Sequence, residues 1–382
     1  MQVQPLLKKE VQDFISANLE TDLHALLLKK TPFPEVSIQD IARQVKGRKV
    51  AARKFPFLQK EGIIFPPNLN LEQASSQATA HYKATNLQGK RFLDLTCGFG
   101  IDAWFLSSQF EEVTLVEQHT ELLDTVKHNW GVLGRKATFI NETLEKFLER
   151  NTQRFDTVYL DPARRDGKNN KKFLLGDLTP NLLEIQDQLL TISDRIIIKL
   201  SPLIDISYLR SVLRNVAKIE IIAVRNEVKE LVVYLEAAKK KTKVVCVNLE
   251  SGEQDFDFNP DEETSAVSVY SAPERYLYLP NSAVLKSGAF NLIAERFSLK
   301  KLHPNTHFYT AQDLQPEFPG RILQVEVVDA KTIKKGEKYN IVSKNHPLSP
   351  DEIRRKYKVL DGGSSYLIFT QSVAGKIILK SK

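Results

Sequence analysis

Three strings of this 382-residue chain place small residues and carboxylates where a nucleoside ligand can be held. The segment Arg91-Phe92-Leu93-Asp94-Leu95-Thr96-Cys97-Gly98-Phe99-Gly100-Ile101-Asp102 reads as an apolar strand, a loop of small residues and the start of a helix. Glycines in such a loop let the backbone approach a ligand that a Cβ would push away. Val113-Thr114-Leu115-Val116-Glu117 is a second strand ending in an acid, a position from which a carboxylate accepts both hydroxyls of a ribose. The pair would also fit a dinucleotide-binding domain, and Gly-x-Gly alone is a weak signal. However, no third glycine follows at the helix start, and Asp102 puts a negative charge near where a pyrophosphate would lie. Repulsion therefore argues against NAD. The third string, Asp161-Pro162-Ala163-Arg164-Arg165, follows another apolar strand. Asp161 there can orient a nucleophile and take its proton, while Arg164 can stack on a base or grip a phosphate. The plain alternative is that Asp161-Pro162 ends a strand with a turn, and that both arginines are surface charges.

Other chemistries find less support. His303 and His307 are four apart, but Pro304 and Asn305 make a helix between them improbable, so no metal site is expected. Neither a Ser-His-Asp order nor a Gly-x-x-x-x-Gly-Lys string occurs. Two cysteines, Cys97 and Cys246, provide neither a disulfide framework nor a zinc site built on cysteine pairs. Cys97 reads as a small residue fitting the turn. Ser75, Ser76 and Thr79 serve either as helix caps or as cofactor contacts.

The elements that must position these groups alternate. Apolar strands are expected at Phe92–Leu95, Val113–Val116, Ala137–Ile140, Thr157–Leu160 and Arg195–Leu200, with amphipathic helical stretches between them. That rhythm predicts a parallel, doubly wound α/β sheet. Ile219–Ala223 and Leu231–Leu235 are separated by a segment too short for a crossover helix, so an antiparallel hairpin is expected at the sheet edge. Glu227, Lys229 and Glu230 read as surface charges of that hairpin. Ahead of the sheet, residues 1–68 read as a helical domain, with Val11, Phe14, Ile15, Leu19, Leu23 and Leu26 at helical spacing and Phe65-Pro66-Pro67-Asn68 as a linker. The sheet domain then spans 69–237. A small α/β module over 238–318 has a strand at Val244–Leu249 and a helix at Ser282–Phe297. A last α+β domain over 319–382 has strands near Ile322–Val328 and Tyr366–Phe369, and a helix capped by Ser349 with Pro350 in its first turn.

Charge is unevenly spread. The formal net charge is +7. Residues 41–60 contain seven Lys and Arg and no acid, residues 330–382 carry 12 basic against 4 acidic residues, and the span 61–329 is net −6. A localised positive excess attracts a polyanion, and the competing reading is that lysines solvate two weakly cored end pieces. The helix after Ser349 carries Arg354, Arg355, Lys356 and Lys358, the expected contacts to an RNA backbone. No run approaches the ~18 to 20 apolar residues of a membrane helix, and charges interrupt the N-terminus before a signal-peptide core could form, so a soluble cytosolic protein is expected.

Taken together, Asp94-x-x-x-Gly98-x-Gly100, Glu117 and Asp161-Pro162-Ala163-Arg164 resemble the class I S-adenosylmethionine-dependent methyltransferases over about residues 69–237. The resemblance implies a Rossmann-like seven-stranded sheet ending in a hairpin, with S-adenosylmethionine as cofactor. It also implies that Asp94, Thr96, Gly98 and Gly100 line the methionine part, that Glu117 holds the ribose, that Asn141 or Glu142 meets the adenine edge, and that Asp161 is a further cofactor contact. Thr96 stands where the family has its first loop glycine, which is tolerable if that residue keeps φ negative. Further strings, Leu71 to Ala84, His303-Pro304-Asn305-Thr306-His307, Phe318-Pro319-Gly320-Arg321 and His346-Pro347-Leu348-Ser349-Pro350, are similar to bacterial methyltransferases with a C-terminal THUMP-like domain. That likeness implies a ferredoxin-like element and RNA as substrate, tRNA above all.

In enzymes that methylate exocyclic amines, the string at Asp161 resembles Asp/Asn-Pro-Pro-aromatic. Ala163 and Arg164 depart from that pattern and weaken an amine target. Asp-Pro-x-Arg strings also occur in enzymes methylating uridine C5 through a cysteine nucleophile. That cysteine belongs after the fifth strand, where this chain has Lys199-Leu200-Ser201-Pro202. Three expectations remain: methylation of an RNA base, with Asp161, Pro162 and Arg164 at the reacting centre; methylation of a protein or small molecule; and RNA binding without catalysis by a chain that retains the pocket.

Overall fold

The computed structural model describes residues 3–164, 174–238 and 240–381. The chain divides into two compact units, Met1–Ala217 with Val232–Lys240, and Lys218–Leu231 with Lys241–Lys382. The division falls inside a hairpin, so each unit is discontinuous in sequence.

The first unit opens with helices α1 (Lys9–Ala17) and α2 (Ile38–Lys54). Val11, Ile15 and Leu26 are buried against Val36, Ile41 and Val45, with Phe14, Leu19 and Leu23 partly buried beside them. The segment read as a linker is instead anchored. Gln44 of α2 accepts from the Phe65 N–H at 2.8 Å and donates to its carbonyl at 2.9 Å, and Phe65 is buried. At Gly47 a Cβ would stand 2.3 Å from the Phe65 Cβ, so glycine in mid-helix is what lets this ring approach. Helix α3 (Gln77–Ala84) follows, capped by Ser76, whose Oγ accepts from the Thr79 N–H at 3.2 Å.

The strands of this unit are β1 (Gly89–Asp94), β2 (Phe110–Val116), β3 (Thr138–Ile140), β4 (Thr157–Leu160) and β5 (Arg195–Leu200). They run parallel, with β1 between β2 and β4, β3 outside β2, and β5 outside β4. Helix α4 (Ile101–Leu106) leaves the loop after β1. All four residues of β4 and all but Arg195 of β5 are buried, the continuous apolar pattern of strands covered on both faces. Crossover connections force parallel pairing, so the carboxyl ends of β1, β2, β4 and β5 meet at one edge.

The hairpin forms from β6 (Val216–Val224) and β7 (Glu227–Glu236). Its loop is two residues, Arg225 and Asn226, both at positive φ (49° and 65°), the backbone of a type I′ turn. The expected connection through Glu230 is therefore too long: Glu230 lies within β7 and is buried, while Glu227 and Lys229 pair at the surface as read. Nor is the hairpin an edge. Within the second unit β8 (Lys243–Leu249) pairs in parallel with β6, and β9 (Phe256–Phe258) antiparallel with β8, so two strands follow the hairpin where it was expected to end the sheet.

The strand expected at Val244–Leu249 thus forms but joins β6. The rest of the second unit is a seven-stranded sheet in the order β11-β12-β10-β13-β16-β15-β14, built from β10 (Tyr276–Pro280), β11 (Lys300–His303), β12 (Thr306–Ala311), β13 (Gly320–Val327), β14 (Lys338–Ser343), β15 (Leu360–Ser372) and β16 (Gly375–Ser381). Because β10 pairs with β13, this sheet runs through the boundary expected at 318/319. The helix expected over Ser282–Phe297 is two short helices, Ser282–Ser287 and Leu292–Arg296, interrupted by Gly288 at φ 80°. Helix α5 (Pro350–Tyr357) begins as read, with Ser349 and Glu352 forming a capping box.

Candidate functional site

The loop after β1 turns through two left-handed glycines, Gly98 (φ 55°) and Gly100 (φ 75°), leaving Thr96 outside the left-handed region. Gly100 is demanded twice over, since a Cβ would also sit 2.9 Å from Val126. At Gly98 the nearest atom to a Cβ is a backbone oxygen at 3.8 Å, so that side of the loop is open to a ligand. Three contacts brace the loop. Thr96 N–H donates to Asp94 Oδ1 at 2.9 Å, Cys97 N–H to the Val116 carbonyl at 2.9 Å, and Gly98 N–H to Glu117 Oε2 at 2.9 Å. The other Glu117 oxygen accepts from the His119 N–H at 2.9 Å, so each keeps a lone pair for a further donor. Burial pushes the Cys97 thiol well up, in keeping with a turn residue and not a nucleophile.

Asp94 is fully enclosed. Burial, then the carboxylates of Asp102, Asp161 and Glu117, push its carboxyl well above the usual range against one opposing backbone N–H. Asn141 is held at Glu117, donating to the Glu117 carbonyl at 2.8 Å and to the Gln118 carbonyl at 3.1 Å. Glu142, the other expected adenine contact, pairs with Arg150 at 2.9 Å. An open glycine loop and a carboxylate with free lone pairs on the next strand fit S-adenosylmethionine, whose ribose Glu117 would hold. Glu117→Ala is expected to weaken cofactor binding about 10- to 100-fold, the loss of hydrogen bonds to a charged group. Calorimetric titration checks this, and an unchanged Kd would remove Glu117 from the site.

Beside the loop lies a cluster that the sequence strings do not announce. Asp102, in the first turn of α4, accepts from Ser75 Oγ and from the Tyr159 hydroxyl, both at 2.8 Å on Oδ2. Lys83 of α3, wholly enclosed, stands 2.7 Å from its Oδ1, and Lys199 at the end of β5 stands 3.4 Å from Oδ2. Burial alone would raise Asp102, but Lys83 and Lys199 reverse it and hold the carboxyl well below its usual range. Lys199 then bridges to Asp161, with which it forms an ion pair. Ser75 is thus a member of this cluster, while the helix cap is Ser76.

Asp161 sits at the mouth of this cluster, its side chain 35% exposed against 9% for Lys199. Its N–H donates to Thr96 Oγ1 at 2.6 Å, which ties the end of β4 to the glycine loop and gives Thr96 its role. Low-dielectric surroundings raise the Asp161 carboxyl, with Lys199 opposing. Pro162 is buried, and Ala163 and Arg164 pair with Thr179 and Leu178 in a two-stranded ladder. The Arg164 side chain and Arg165 lie outside the described residues.

The two basic ends differ. In the N-terminal run Arg43 pairs with Asp40, Lys46 with Glu72, and Arg48 with Ser16 and Gln12, while Lys49, Lys54 and Lys60 donate to the carbonyls of Thr21, of Leu71 and Glu72, and of Val132. That charge is largely spent on tying helices together. On α5, Arg354 is held by Asp351 and Asp361, whereas Arg355 and Lys356 are exposed; Lys358, expected on the helix, is exposed just past its end in the left-handed C-cap position. His303 and His307 flank the turn between β11 and β12, and His307 stacks on Phe290 at 3.5 Å, with burial pulling its pKa down to about 4. Among the described residues no helix is long and apolar enough to cross a membrane.

Residues 73–183 match a model described as conserved hypothetical protein 95, residues 276–319 a ferredoxin-like domain, and residues 321–380 a THUMP-like domain. A crystal structure from Porphyromonas gingivalis W83, provisionally described as a methyltransferase, is 29% identical, covers 98% of this chain and 97% of its own, and superposes with a TM-score of 0.86. An uncharacterised RNA methyltransferase of Mycoplasma mobile is 26% identical over 157 residues, 40% of this chain and 42% of its own length. A ubiquinone biosynthesis O-methyltransferase of Vibrio cholerae is 36% identical over 76 residues, 20% of this chain and 31% of its own. The chain thus spans well under half the length of these two curated relatives. Its glycine loop, its acids at the ends of β1, β2 and β4, and its matched segments agree with one another: the chain shares the whole fold of the Porphyromonas structure and carries a ferredoxin-like and a THUMP-like segment after the segment matched by conserved hypothetical protein 95, and these likenesses are to S-adenosylmethionine-dependent methyltransferases.

Proposed function

We propose that the chain transfers a methyl group from S-adenosylmethionine to a nucleotide of RNA, with tRNA the expected class. The observation that carries the reading is the acid Asp161, tied by its N–H to the glycine loop and paired with Lys199; the exposed basic residues that the THUMP-like segment carries in the other unit agree with it. The name of the Mycoplasma relative supports the same substrate. S-adenosylmethionine, when bound, supplies an electrophilic methyl on a positively charged sulfur. The chain's own part is to hold and to desolvate. Glu117 would hold the ribose and Asp94 would line the methionine end, the Cβ-free loop lets the backbone close on the cofactor, and Thr96 couples that loop to the Asp161 main chain. Asp161 then faces the incoming nucleophile with a raised carboxyl suited to take a proton.

The test is transfer of radiolabelled methyl to total RNA from cells lacking the protein, beside an Asp161→Ala control. Label in the tRNA fraction that the control abolishes is the expected result. Turnover without RNA would favour a protein or small-molecule substrate, and cofactor binding without transfer would favour an RNA-binding protein that has lost catalysis. RNA affinity supplies a second check. Reversing the charges of Arg355, Lys356 and Lys358 is expected to weaken binding and to reduce the slope of log K against log salt by about 2 to 3, one unit for each phosphate no longer neutralised, with cofactor Kd unchanged. An unaltered slope would place the RNA-binding surface elsewhere.

A further inference from the structure

We propose that the methyl acceptor is a hydroxyl oxygen, the ribose 2′-hydroxyl of an RNA nucleotide, and not the base that the sequence leads one to expect. The inference rests on the RNA reading and sharpens it. Its carrying observation is the ion pair between Asp161 and Lys199 at the end of two adjacent strands.

An exocyclic base amine is a donor. To be gripped it needs acceptors with room to spare and an apolar or aromatic surface for the ring. Asp161 has an ammonium already on its carboxylate, and the residues after Pro162 are Ala163 and a second cation, Arg164. A hydroxyl has the opposite requirement. It carries its proton at neutral pH and becomes a good nucleophile only as that proton leaves, so its oxygen needs a cation beside it and its hydrogen needs a base. Lys199 and Asp161 supply both, in contact with each other. Each nucleotide inside an RNA chain offers one free hydroxyl, the 2′-hydroxyl.

The rest of the cluster keeps that cation in place. Lys199 lies 3.4 Å from both Asp102 Oδ2 and Ser75 Oγ, long contacts from which an N–H can turn to an entering oxygen. Asp102 itself is fixed by Ser75, Tyr159 and Lys83 at 2.7–2.8 Å. Lys83, which reaches Asp102 and Ser75, is a positioning residue, whereas Lys199 touches the substrate. In the step, the hydroxyl oxygen forms the new O–CH3 bond as the donor's C–S bond breaks, its electron pair remaining on sulfur to leave a neutral thioether. The hydroxyl proton passes to the Asp161 carboxylate and from there to solvent. Lys199 keeps its proton throughout and stabilises the charge that develops on oxygen.

A 2′-O-methyl group blocks the neighbouring-group attack by which alkali cleaves RNA, so the product reveals its own position. The full chain is incubated with radiolabelled S-adenosylmethionine and total RNA from cells lacking the protein, and the RNA is hydrolysed in alkali. Label in alkali-resistant dinucleotides is the expected result. Label in mononucleotides that carries over to the free base overturns the inference and leaves the RNA reading standing. Absence of label from RNA overturns both. Lys199→Ala is expected to lower transfer about 100- to 10,000-fold with cofactor Kd within threefold of wild type, the second figure showing that the site still folds. A readout free of turnover is oligonucleotide binding with S-adenosylhomocysteine present. Replacing the mapped ribose by 2′-deoxyribose is expected to weaken binding on the order of 10-fold in the wild type and not in Lys199→Ala. Equal losses in the two proteins would show that Lys199 does not touch the 2′-oxygen.

Discussion

Asp102→Ala is expected to lower the unfolding free energy of this protein by about 3–5 kcal/mol, the penalty for leaving a buried charge without its partner. The size follows from what Asp102 holds. Lys83 is wholly enclosed, and its ammonium faces Asp102 at 2.7 Å; Lys199, also buried, shares the same carboxylate. Removing the acid takes from Lys83 the carboxylate it faces, with Ser75 Oγ at 2.8 Å beside it, and leaves Lys199 with Asp161 as its paired carboxylate. Tyr159 and Ser75 lose an acceptor as well. Urea unfolding of the two proteins at one pH measures the difference, provided the slopes agree. A loss under 1 kcal/mol would mean that the lysines find water or other acceptors. The pH dependence has a definite sign. The folded-state pKa of Asp102 is depressed, so its contribution is present above the unfolded value near 3.9 and is lost as pH falls through the folded value. Asp94 and Asp161 run the other way: with raised folded pKa values, what they contribute is present at low pH and is lost as pH rises through those values. Below about pH 4 the wild type should therefore lose stability more steeply than Asp102→Asn.

Asp161→Asn is expected to cost about 100- to 10,000-fold in kcat with little change in cofactor Kd, because the amide keeps the shape and an acceptor oxygen but cannot take a proton. Burial raises the Asp161 carboxyl, so the wild-type rate should climb with pH along an acid limb centred above the ordinary carboxylate value, and that limb should vanish in the variant. Single-turnover transfer across pH 4 to 8 would register both effects. A rate that drops while the acid limb survives would assign the limb to another group and reduce Asp161 to an orienting role.

The glycine loop and its two acids are readable from sequence because each lies within one local string. A left-handed Gly98 needs no distant partner to be recognised, and Glu117 ends a strand that announces itself. Lys83 and Lys199 carry no such signature. In Arg195-Ile196-Ile197-Ile198-Lys199-Leu200 a single lysine at the end of an apolar strand has no place to put its charge on either face, which is the available signal. Its partners, Ser75 and Asp102, lie on elements far away in sequence. Asp102 reads locally as an obstacle to a pyrophosphate, when its charge is in fact neutralised from behind. Composition alone misjudges the N-terminal basic run for a related reason. Local counting sees seven positive charges, while the fold turns Lys46 onto the distant Glu72 and Lys49, Lys54 and Lys60 onto carbonyls far away in sequence. The sheet's extra strands escape a sequence reading because β8 pairs with β6 across the hairpin, where the pattern suggests a new module.

Ser75 and Lys83 precede the sheet, whereas Lys199, on the last of its five parallel strands β1–β5, follows Lys83 by 116 residues. At about 5–20 residues per second, a ribosome needs roughly 6 to 23 s to make that stretch. During that interval α3 and the glycine loop can meet, but the acid between them has only one of its two cations, and β4 has no neighbour on its far side. The reacting centre is therefore among the last parts of this unit to be completed during synthesis. A chain halted before β5 would carry a nucleoside-binding loop without the Lys199 pair.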